Sequence, residues 1–158
     1  MGALGTAFLP LKRYAIFRGR STRFELILFF ALLVLINVAI GYISWFLSPE
    51  YVEWGRRVLI ILAFCPVIAV MMRRLHDTGR SGRWLLLGFP LLGFLLWEAV
   101  VQIRNPLAQS PIDAMPVAAR VALAMTGAVI AVLLLWDEEE GGNTYGPNPR
   151  IGQMEAIA

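Results

Sequence analysis

A chain of 158 residues in which 58% are hydrophobic and only 16% are charged cannot build a water-facing surface, for which about 25% charge is usual. Its apolar residues gather into long runs separated by short basic segments, and the mean hydropathy is +0.67, so a soluble domain is excluded and a bilayer becomes the solvent. The formal net charge of +3 does not signal nucleic acid, because the cations stand just outside the apolar runs instead of along one soluble stripe. Anionic lipid headgroups are their expected neighbours, and nucleic acid is not an expected partner.

The lead segment mixes Phe8, Tyr14 and Phe17 with Lys12 and Arg13, as a stretch lying in the headgroup region does; a short disordered lead-in is the competing reading. Ser21 or Thr22 is placed to cap a first helix, with Glu25 in its favourable first turn, and the helix is predicted over about 26–47. That apolar run, about 22 residues, is too long for a cleavable signal core, so the helix is expected to stay as an anchor. Ser48 and Pro49 are read as its end, and Trp45 and Trp54 flank a polar turn carrying Glu50, Glu53, Arg56 and Arg57.

A second span is predicted over about 55–72, with snorkelling arginines extending a short apolar run and Pro66 bending it. Residues 73–83 read as a dense polar loop. Trp84 opens a third span of about 84–101, containing Gly88, Pro90 and Gly93. Pro106, Pro111 and Pro116 make the next connection irregular. The fourth span, about 117–136, has Ala124, Gly127, Ala128 and Ala131 at a spacing that lets another helix approach closely. After Asp137 the Gly, Asn and Pro content predicts turns.

Ten of the fourteen lysines and arginines fall in the N-terminal segment, residues 73–83 and the tail. By the positive-inside rule these three segments face the cytoplasm. They would then meet within about 10–15 Å, the width of one or two helices. Arg20, Arg23, Arg74, His76, Arg80 and Arg83 are the candidates for binding a lipid headgroup or phosphate, while Asp77, Asn143 and Tyr145 are the residues expected to hold the cap together.

His76 beside Asp77 has the composition of an acid–base pair; the competing reading has Asp77 capping a turn or pairing with an arginine. Thr78 to Arg83 offers backbone amides and arginines to a phosphate, against the plainer reading in which the arginines only orient the helices. A lone histidine with one carboxylate is too few ligands for zinc, and no HExxH or CxxC spacing occurs. The single cysteine, Cys65, permits no internal disulfide. Neither metal nor cofactor is expected.

Three segments carry a family resemblance: Phe17 to Glu25 (FRGRSTRFE), Arg73 to Trp84 (RRLHDTGRSGRW) and Gly142 to Pro149 (GNTYGPNP). Together, in this order, they resemble the bacterial inner-membrane family catalogued as domain of unknown function 805, the YhaH-like proteins. Arg83 before Trp84 and Leu26 after Glu25 depart from the family's aromatic and tryptophan. The resemblance implies a small multi-spanning protein and no particular activity.

The sequence therefore predicts an all-α integral membrane bundle of four transmembrane helices, a single membrane domain over residues 1–158 of a bacterial inner membrane, with cytoplasmic segments 1–25, 73–83 and 137–158. The expected function is non-enzymatic: binding of anionic lipid headgroups, or of a membrane partner as an accessory subunit, through a basic cytoplasmic cap. A homo-oligomer is compatible with this. The alternative is a small oligomeric transporter or channel, to which Asn37 and Glu98 would contribute, although Glu98 and Arg120 sit near helix ends. A lipid-modifying enzyme using His76 and Asp77 ranks third.

Overall fold

The computed structural model describes residues 3–43, 45–104 and 115–149. Their regular structure is all helix, with no strand among the described residues. Residues Met1–Gly82 and Asp137–Ala158 make one compact unit, and Arg83–Trp136 make a second.

In the first unit, two short helices, α1 (Ala3–Ala7) and α2 (Leu9–Lys12), precede two long ones, α3 (Arg23–Ile43) and α4 (Pro49–Asp77). α3 starts where Thr22 Oγ1 accepts the Glu25 amide at 3.2 Å, satisfying one of the free donors of a helix start. It stops at Ile43, and the amides of Trp45 and Phe46 turn back onto the Tyr42 and Ile43 carbonyls.

Ser48 and Pro49, read from sequence as the end of α3, instead begin α4. Ser48 is extended, as a residue before proline prefers, and Pro49 takes the first helical position, where its missing N–H costs nothing. α4 also runs further than the polar loop predicted over 73–83, reaching Asp77. At 29 residues it is about 43 Å long, well beyond the roughly 30 Å of a hydrocarbon core. Its last turn therefore has the reach to stand in the headgroup region.

The hairpin is held at both ends. Gly55 lets Ile40 approach to 3.9 Å of where its Cβ would be, and at the other end the Ser21 amide donates to the Arg73 carbonyl at 3.2 Å. Between them lies a narrow apolar seam of Leu26, Phe29, Ala63, Ala69 and Val70. Pro66 is fully buried within α4. The outward faces are apolar too, with Val34, Leu35, Ile60, Ile61 and Leu62 exposed, while the buried polar side chains include Arg20, Glu25, Arg73, Arg74 and Asp77. This is the reverse of a water-soluble helix pair and the natural arrangement in lipid.

The second unit holds a 3-10 helix (Gly82–Gly88, whose first residue belongs to the first unit), α5 (Phe89–Arg104) and α6 (Val117–Leu135). The predicted third span is thus not one continuous α-helix. Pro90 has no N–H to give the Leu86 carbonyl, and its ring would crowd that carbonyl. The α-helix begins afresh with Pro90 in its first turn. α5 packs on α6, where Gly88 lies against Ile130 Cδ1 and Gly127 against Leu91. Of the small residues predicted to admit a neighbouring helix, Gly127 is the one on this contact; Ala124, Ala128 and Ala131 are exposed. A shallow apolar depression of about 230 Å³ is lined by Leu87, Met125, Thr126 and Val129. The connection 105–114 and the Glu98 side chain lie outside the described residues.

Among the described residues, three helices, Arg23–Ile43, Glu50–Asp77 and Val117–Leu135, have the length and apolarity to cross a membrane.

Candidate functional site

The three polar segments predicted to converge do so at one end of the α3–α4 hairpin. Their centre is Asp77, the last residue of α4. Its Oδ1 accepts from Arg20 Nε at 2.7 Å, and its Oδ2 is bonded by Arg74 Nη1. All three side chains are essentially without exposure. A carboxylate removed from water must be compensated, and two guanidinium groups on opposite oxygens do this.

Arg20 does more than neutralise. Its Nη1 donates to the Gly141 carbonyl at 2.6 Å and its Nη2 to the Glu139 carbonyl at 2.7 Å. One planar fork thus joins the segment before α3, the end of α4 and the tail, a geometry lysine cannot reproduce. The Glu139 amide returns the connection by donating to the Asp77 carbonyl at 3.0 Å.

His76 and Asn143 make the outer layer. The imidazole Nδ1 lies 3.2 Å from the Gly19 carbonyl, and the ring stacks on Tyr145 with centroids 4.0 Å apart and planes within 1°. Asn143 Nδ2 donates to the His76 carbonyl at 2.8 Å and to Glu139 Oε2 at 3.0 Å. Its own Oδ1 accepts the Tyr145 amide, within a tight turn closed by reciprocal Asn143–Gly146 bonds. Asp77 and His76 are neighbours in sequence, but the carboxylate faces two arginines and the imidazole nitrogen faces a carbonyl.

α4 ends in a Schellman motif. The Gly79 amide donates to the His76 carbonyl and the Arg80 amide to the Leu75 carbonyl, with Gly79 at φ +70. Two amides that a phosphate cradle over 78–83 would use therefore close the helix instead. No metal-ligating group of three or more His, Cys, Asp or Glu occurs among the described residues.

The remaining candidates sit differently. Arg23 is half-buried and reaches Asp137 at 2.9 Å, but the Asp137 side chain is 87% exposed, so water screens the pair. Arg80 is half-buried. Arg83 is exposed and belongs to the second unit. The sequence reading missed a second buried pair, Arg73 Nη2 with Glu25 Oε1 at 3.3 Å. It also missed the Glu139 and Gly141 carbonyls, since a main-chain acceptor has no residue-type signature. Among the described residues, Arg20, Arg73 and Arg74 are thus buried together with Glu25 and Asp77.

Apolar helices of membrane length, with apolar side chains outward and charges locked together at one end, define a polytopic membrane protein with an ordered polar cap. The chain belongs to the family described as Protein of unknown function (DUF805), whose model matches residues 14–147. It is similar to the Escherichia coli (strain K12) inner membrane protein YhaI, 38% identical over 87 residues, which covers 54% of this chain and 73% of that relative. Inner membrane protein YhaH of the same strain is 37% identical over 91 residues, covering 54% and 74%. No solved structure matches. This is a bacterial inner-membrane protein.

Proposed function

We propose that the chain is a non-enzymatic, four-span inner-membrane protein with both termini in the cytoplasm, whose basic cap binds anionic phospholipid headgroups. A membrane protein partner, with this chain as an accessory subunit, would use the same face. The observation that carries this reading is the Arg20 fork, which ties segments separated by 57 and 121 residues into one rigid polar body. Such a body, which carries the basic N-terminal segment, matches the negative cytoplasmic leaflet.

Parity supports four crossings. The tail meets Arg20 at the polar end of the first unit, so the chain that leaves this end after Asp77 must come back to it. α6 is long enough to carry it across once. The segment Gly82–Arg104 would then make the opposite crossing; at 2.0 Å per 3-10 residue and 1.5 Å per α residue it extends about 38 Å, sufficient for the core.

A non-enzymatic role fits the way the reactive side chains are used. Asp77 commits both oxygens to arginines, and His76 commits its Nδ1 contact and its ring face to holding the cap.

Native mass spectrometry of the protein released from its own membrane tests the reading. Anionic phospholipids should be enriched among the retained lipids relative to the bulk membrane. Retained lipid with the bulk composition would rule out headgroup binding.

A further inference from the structure

Of the arginines singled out from the sequence, Arg20 and Arg74 are buried against Asp77, Arg23 is paired with Asp137, and Arg80 is half-buried, while Arg83 is exposed in the second unit. A different set remains at the surface. Lys12, Arg13 and Arg18 are exposed and form no ion pair among the described residues.

These three cations alternate with exposed apolar side chains: Leu11, Tyr14, Ile16 and Phe17 are 36–52% exposed. In water such a surface would be unfavourable, whereas at the membrane interface both kinds of group are accommodated, with rings and aliphatics at the acyl boundary and cations at the phosphates. The chain has no acidic residue before Glu25. Nothing in this stretch therefore opposes an anionic surface.

The stretch is also held in place. α1 packs on α3, and α2 packs on both α3 and α4, with Pro10 fully buried.

We infer that residues 8–18 form a collar seated in the cytoplasmic headgroup layer, where Lys12, Arg13 and Arg18 bind the phosphates of anionic phospholipids and Leu11, Tyr14, Ile16 and Phe17 enter the acyl boundary. The inference rests on the lipid-binding reading above and deepens it by naming the residues.

The test uses the full chain in nanodiscs of mixed phosphatidylglycerol and phosphatidylcholine. Replacing Lys12, Arg13 and Arg18 by glutamine should lower the preference for phosphatidylglycerol by about fivefold per charge at low salt, taking about 1 kcal/mol for each cation near the surface. Exchanging the same residues between lysine and arginine should preserve it. A spin label at Ile16→Cys in a Cys65→Ser protein should report headgroup depth. Loss of the preference together with that depth supports the collar. A preference that survives the triple glutamine variant, or a label at position 16 standing in bulk water, overturns it and leaves the lipid-binding reading intact. A wild-type protein with no preference overturns both.

Discussion

Asp77 and Arg20 illustrate why identity matters more than charge inside the cap. Asp77→Ala leaves two guanidinium groups buried without their counter-charge, and removing one partner of a buried ionic set typically costs about 3–5 kcal/mol. Arg20→Lys keeps the positive charge but cannot reach Asp77 and the Glu139 and Gly141 carbonyls together; the expected loss is about 2 kcal/mol, with release of the tail. Thermal unfolding in detergent should rank the two in that order, and limited proteolysis should cut between residues 137 and 149 in Arg20→Lys before any cut in the spans. An Arg20→Lys tail as resistant as wild type would mean that the fork does not hold it. The convergence of these residues was legible in the sequence from charge counting and from the motifs around Arg20, His76 and Tyr145. Their direction was not, because an arginine beside an apolar run fits a headgroup and a buried carboxylate equally well.

Helix ends carry the next level of information, and α4 shows it best. Its apolar run stops near Met72, yet the helix continues to Asp77 because the last-turn side chains find partners inside the cap. Sequence reading placed a loop there by treating charge density as a stop signal. Gly79 was the better marker, since the C-terminal closure needs a residue at positive φ, here +70. A Cβ at Gly79 would also come within 2.7 Å of Glu139 Oε2, the acceptor for Asn143. Gly79→Ala should therefore destabilise by about 1–2 kcal/mol, the usual cost of a left-handed non-glycine residue. Gly93→Ala, inside α5 with nothing within 4 Å, should be neutral or stabilising by about 0.5–1 kcal/mol. Melting temperatures of the two variants check the contrast, and equal shifts would contradict the capping role. Pro90 was visible in the sequence as well, but reading the third run by hydropathy alone concealed its division into a 3-10 and an α segment.

Across the molecule, the side of the membrane each segment occupies follows from the cap. Arg20, Asp77 and Gly141 share one hydrogen-bonded cluster, so the N-terminal segment, the end of α4 and the tail lie in the same aqueous compartment. In the proposed function that compartment is the cytoplasm, as the charge asymmetry predicts. Single cysteines in a Cys65→Ser background convert this into a measurement. Ala15, Ser81 and Thr144 positions should label only from the cytoplasmic side, and Glu50 and Met115 positions only from the periplasm. The informative site is Met115, immediately before α6. If it labels from the cytoplasm, the segment Gly82–Arg104 does not cross, the tail reaches Arg20 without a fourth span, and α6 must lie on or within one leaflet in spite of its length. If it labels from the periplasm while Ser81 and Thr144 label from the cytoplasm, the chain crosses between residues 81 and 115, and the 3-10 helix with α5 supplies the apolar length for it.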